Sequence, residues 1–92
     1  MPVRYGESGK PAKLMEISLN GLSMRVAEPL DVGSPVAVEL PEPLVLTGSV
    51  VNTRASASVQ GTFEVGVAFT ELPPGTATAL RKLLSQLVHG ER

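Results

Sequence analysis

With 92 residues the chain has room for one compact core, and its mix of 42% hydrophobic and 18% charged residues belongs to folded globular proteins rather than disordered ones. A net charge of −1 argues against a nucleic-acid binder that works by bulk electrostatics. The lack of cysteine excludes disulfides and thiol catalysis, and the single histidine, His89, cannot build a multi-histidine metal site.

Pro2 to Tyr5 reads as a short first strand, and Gly6 to Pro11 as a loop punctuated by Gly6, Ser8, Gly9 and Pro11. This polar opening carries no signal-peptide pattern, and no apolar run approaches the roughly 20 residues of a membrane span. No membrane insertion is therefore expected, and the cytoplasm is the expected location. Lys13 to Ser18 is a strand of mixed alternation, with Leu14, Met15 and Ile17 apolar. Asn20-Gly21 is a turn signal, because both residues reach positive φ cheaply. Leu22, Met24 and Val26 then alternate with Ser23 and Arg25, the period of a half-buried strand.

Glu28-Pro29 ends that strand, and Asp31 to Pro35 forms a further turn. Val36, Val38 and Leu40 alternate again, and Pro41-Glu42-Pro43 makes a stiff connection. Leu44 to Asn52 is a longer strand in which Gly48 marks a bulge or bend. Ala55 to Gly61 reads as a flexible hairpin loop. In Thr62 to Thr70, Val65, Val67 and Phe69 share one face, while the small Gly66 and Ala68 let another element pack close to the other. The period then changes. Leu80, Leu83, Leu84, Leu87 and Val88 follow helical spacing, with Thr76 as the expected N-cap and Gly90 as the stop. Arg81, Lys82 and Gln86 are expected to face water.

Six short strands with Gly and Pro punctuation and no helix between them exclude parallel βαβ units. They favour an all-β barrel or sandwich over a doubly wound sheet, and a small six-stranded antiparallel barrel, which would remove exposed edges, is expected over residues 2–71 with one C-terminal helix over 76–89, in a single domain spanning 1–92. The helix is expected to plug one mouth of the barrel with its leucines; a partner-binding helix is the sharper alternative.

One stretch organises the rest. Glu16-Ile17-Ser18-Leu19-Asn20-Gly21 has the form Glu-x-Ser-x-x-Gly, which resembles the Asp/Asn-x-Ser-x-x-Gly motif of the PilZ family. Gly33 to Pro41 is similar to that family's Gly-x-x-Val-x-Leu-x-Leu-Pro region. Gly48-Ser49-Val50-Val51-Asn52 resembles its Gly-x-Val-Val run, and Val65-Gly66-Val67-Ala68-Phe69 its Val-Gly-Val-x-Phe strand. The resemblance implies a six-stranded barrel closed by a helix, with the motif forming part of a surface for the second messenger cyclic di-GMP. Carried onto this chain, the ligand-binding residues are Glu16, Ser18, Asn20 and Gly21, with Lys13 and Arg25 as flanking cations.

Two departures bear on that surface. Glu16 stands where Asp or Asn is usual, a carboxylate on a longer arm. The family's ligand-binding form also carries Arg-x-x-x-Arg ahead of the first strand. Here that strand is expected to begin almost at Met1, and Arg4 stands alone with Ser8 four residues later. Arginine grips phosphate with a bidentate fork and stacks on bases, so losing the pair costs about 100-fold or more in affinity. The expectation is a degenerate PilZ-like adaptor, non-catalytic and without cofactor, acting through a protein partner in motility, pilus, polarity or exopolysaccharide control. The alternative is a cyclic di-GMP receptor using Ser18, Gly21 and nearby cations, though tight binding is not expected. A small hydrolase or nucleic-acid barrel is the weakest reading. Glu16 has no companion base at motif spacing, His89 reads as a solvated helix-end residue, and stacking aromatics are scarce.

Overall fold

Leu22, Met24 and Val26 are buried while their neighbours Ser23 and Arg25 are half-exposed, and Val38 with Leu40 and Val65 with Val67 repeat the alternation. Such segments have one face to hide, and they hide it by closing on one another. The computed structural model describes residues 1–41, 44–70 and 72–90, with side chains through residue 86. Its strands are β1 (Pro2–Tyr5), β2 (Lys10–Ile17), β3 (Gly21–Val26), β4 (Pro35–Leu40), β5 (Leu44–Ala55) and β6 (Phe63–Phe69), followed by the helix α1 (Pro74–Gly90). They form a closed antiparallel barrel in the order β1-β2-β3-β6-β5-β4, with β4 returning to β1 through Arg4 opposite Glu39 and Tyr5 opposite Val38. Closure gives every strand a partner on each side.

The core is aliphatic, as the shortage of aromatics requires. Met24, Val38 and Val65 are wholly buried, with Leu40, Leu46 and Val50 almost so. The helix contributes Leu80, wholly buried, and Leu83, and α1 packs mainly against β5. Arg81, Lys82 and Gln86 are exposed. The side chains of Leu87, Val88 and His89, and the connection at Glu42 and Pro43, lie outside the described residues.

Four local expectations are corrected. The first loop is shorter than its breakers suggest: β2 starts at Lys10, and Pro11 sits in the ladder opposite Arg4. Gly6 and Gly9, both at positive φ, make a tight hairpin there. The helix begins at Pro74, not at a Thr76 cap. Pro74 takes the first helical position, where its fixed φ suits the turn and no N–H is needed, and the Pro73 carbonyl accepts the Ala77 N–H at 2.9 Å. The Ala55–Gly61 loop is pinned at its base. The Ser56 hydroxyl accepts the N–H groups of Ser58 and Val59 at 3.3 and 3.2 Å, and Thr62 donates to the Val59 carbonyl at 2.6 Å.

The fourth correction moves the bulge. Gly48 is regular in its pairing, opposite Val36 and Phe69. A Cβ there would lie 2.3 Å from the Ala68 carbonyl oxygen, so glycine is needed for close approach of β5 to β6. The register shifts instead between Val50 and Asn52, and a second shift falls between Leu14 and Glu16. Each leaves one residue without a cross-strand partner: Val51 on β5 and Met15 on β2. Beyond its bulge β5 leaves β4 behind and runs on with β6 alone, from Asn52 to Ala55.

A candidate binding groove at the Ser18–Gly21 turn

The turn between β2 and β3 is built by Ser18. Its N–H donates to the Gly21 carbonyl at 2.8 Å. Its hydroxyl accepts the Asn20 N–H at 3.2 Å and lies 3.4 Å from the Gly21 carbonyl. The Asn20 carbonyl accepts the Phe69 N–H at 2.9 Å, tying the turn to β6. Neither Asn20 nor Gly21 has positive φ. Gly21 is required for a different reason: a Cβ would lie 2.2 Å from the Val67 carbonyl oxygen, inside any tolerable contact.

Behind this turn lies a shallow groove of about 380 Å³ on the outer wall of the barrel. Gly21, Gly66 and Ala68 give it a floor without bulk, and Glu16, Ser18 and Asn20 line its turn side. The register shows how it is made. Glu16, Ser23, Gly66 and Asn52 stand side by side across β2, β3, β6 and β5. Three strand spacings put Glu16 and Asn52 about 14 Å apart. At Gly66 the space is taken by the neighbouring strand of the same sheet, where a Cβ would meet the Asn52 side chain at 2.9 Å.

The four motif residues thus share one groove. Lys13 and Arg25 do not line it. They are Cα partners of each other, and Arg25 lies four residues along β3 from Gly21, about 13 Å away. Arg25 Nη2 donates to the Ser58 hydroxyl at 3.5 Å, on the β5–β6 loop. Arg4, the lone arginine of the first strand, donates to the Gly9 carbonyl at 3.1 Å. Among the described residues Glu16 makes no ion pair, and no lysine or arginine lines the groove.

Sequence reasoning missed three groups here. Val51, 51% exposed, and Asn52 form the groove's β5 wall. Arg54 lines an adjoining depression that shares Glu16, Ser23, Asn52 and Gly66 with the groove. Its Nη2 is 3.0 Å from Glu64 Oε1. The signal was present in Val50-Val51-Asn52, where two outward residues follow one inward, but the break in alternation shows only against the partner strand.

The β1–β2 hairpin carries a separate polar cluster. Lys10 pairs with Glu28, and that contact holds the ammonium above its ordinary pKa. Burial, reinforced by the Glu28 carboxylate, pushes the Tyr5 phenol up.

A closed six-stranded antiparallel barrel, a helix packed on it and a Ser-x-x-Gly turn beside a surface groove define the class of domain. The profile of the PilZ domain matches residues 2–86, and the chain belongs to the PilZ domain family. Among solved structures it is similar to YcgR from Escherichia coli, crystallised in complex with c-di-GMP, with a TM-score of 0.73 at 17% identity. The match covers 99% of this chain and 43% of that one, so this chain spans less than half of the YcgR chain. At that identity the likeness establishes the fold. No curated protein sequence matches this chain.

Proposed function

We propose that this PilZ domain is a non-catalytic regulatory adaptor of cyclic di-GMP-linked signalling that acts through protein contacts and does not itself hold the dinucleotide tightly. The processes that PilZ resemblance implies are motility, pilus function, polarity and exopolysaccharide control. One observation carries the reading: the groove beside the motif turn has a carboxylate, Glu16, and no cation among its lining residues. Two phosphates set there would lose charge-assisted contacts of about 1.5–3 kcal/mol each. Lys13 and Arg25, the cations nearest in sequence, pair with each other one row beyond the groove and do not line it.

A thermal melt tests this. A receptor saturated at 100 times its Kd gains about 2.7 kcal/mol, which raises the midpoint of a domain this size by about 10 °C or more. The adaptor reading expects no shift with cyclic di-GMP at 100 μM, roughly 100 times the Kd of a micromolar receptor. A shift of that size would overturn it. The receptor reading has one observation in its favour: Arg54 lies beside the groove. If it is right, Arg54→Gln abolishes the shift.

A further inference from the structure

The two bulges do the same thing on opposite sides of the groove. A regular strand sends alternate side chains outward, but a bulge turns two consecutive residues to the same face. On β2 the pair is Met15 and Glu16, and on β5 it is Val51 and Asn52; all four are exposed. Met15 is 40% exposed and Val51 51%, and Leu19, 42% exposed, tops the turn between them. Val51 lines the groove itself and Met15 the depression that adjoins it, so each bulge sets an exposed apolar side chain beside the glycine-and-alanine floor. Such a grouping on an outer barrel wall has no part in the core, because Leu14 and Val50 beside them fill that role.

The next row along the strands is cationic. Lys13, Arg25, Glu64 and Arg54 lie side by side across β2, β3, β6 and β5. Glu64 is taken up by Arg54 and by the Ser56 hydroxyl at 3.4 Å. Lys13 and Arg25 make no ion pair among the described residues. The row is two residues, about 7 Å, from the row of Gly66. That is the i to i+2 spacing of an extended peptide.

Resting on the adaptor reading, we infer that this face docks an extended segment of a partner protein, with an apolar residue over Ser23 and Gly66 and an acidic residue two positions away on Arg25 and its cross-strand neighbour Lys13. Charge complementarity names the occupant. Across the two rows a basic segment would meet three cations against two carboxylates, Glu64 already paired with Arg54 and Glu16 at the groove's β2 side, whereas an acidic one finds Lys13 and Arg25 without carboxylate partners. The apolar posts supply contact area and the cations supply orientation and register.

The test is a random-peptide display selection on the immobilised full chain, followed by fluorescence anisotropy with the selected peptides. Enrichment of Asp or Glu two positions from Leu, Ile, Met or Phe is expected. Affinity should fall about tenfold in Arg25→Gln and again in Lys13→Gln. It should also fall in Val51→Ser and Met15→Ser, which alter exposed bulge residues and leave the core intact. Glu39→Gln, on the β4 wall, should change nothing. Basic consensus peptides, no consensus, or affinities indifferent to Arg25 and Val51 would overturn the inference. A parallel titration with cyclic di-GMP separates the two claims. Saturable dinucleotide binding removes the adaptor reading and this inference with it, whereas absence of both ligands removes this inference alone.

Discussion

Three glycines on this barrel differ in what a single methyl group would meet, and the differences rank their substitutions. At Gly21 and Gly48 the obstacle is a backbone carbonyl of the neighbouring strand, 2.2 and 2.3 Å from the added carbon. Backbone cannot yield without parting β3 from β6 or β5 from β6. Gly21→Ala is therefore expected to destabilise by about 3 kcal/mol or more, read as a lower urea midpoint. At Gly66 the obstacle is the Asn52 amide, the mobile end of an exposed side chain. Gly66→Ala should cost about 1 kcal/mol or less and instead push Asn52 into the groove. Equal losses at Gly21 and Gly66 would show that the groove floor is not shaped as described. Gly21 was legible as a motif residue. Its reason was not: Asn-Gly suggests positive φ, and only the position of the Val67 carbonyl shows that space is what matters.

Among the elements, β3, β4 and β6 could be read from the sequence because each hides one face and period 2 survives in their side chains. The bulged strands could not be read as fully. Leu14-Met15-Glu16 and Val50-Val51-Asn52 each break the alternation, and a break in one strand has meaning only against the partner it pairs with. The β1–β2 hairpin was misjudged for a related reason: Pro11 was weighed as a breaker, yet it fits the ladder at its place opposite Arg4. The helix stripe was clear at Leu80, Leu83 and Leu84, while its start was masked by two prolines that read as linker. Because Leu80 is wholly buried against the barrel, Leu80→Ala should cost about 3 kcal/mol and lower the thermal midpoint by on the order of 15 °C. A change of a degree or two would mean that α1 does not close the core.

Over the whole molecule, charge is distributed rather than massed, with a net of −1. The stability of the fold should nevertheless depend on pH at the alkaline end. Burial, and then Glu28, raise the Tyr5 pKa above its unfolded value near 10, so the folded state holds that proton more tightly. This contribution is fully present below pH 10 and is lost as pH rises through the folded value. Urea midpoints should fall more steeply above pH 10 in the wild type than in Tyr5→Phe; parallel curves would remove Tyr5 from the account. The six-stranded barrel, its closing helix and the motif turn could all be anticipated from local patterns. The groove's lack of cations could not, because it depends on where β2 and β3 carry Lys13 and Arg25 relative to a turn several residues away.

Whether a groove lined without cations holds the dinucleotide is read out by isothermal titration of the chain with cyclic di-GMP at near-physiological salt. No saturable heat is expected with the ligand in large excess, for the wild type and for Ser18→Ala alike. Low-micromolar saturable binding that disappears in Ser18→Ala would contradict it and make the Ser18–Gly21 turn part of a working dinucleotide site.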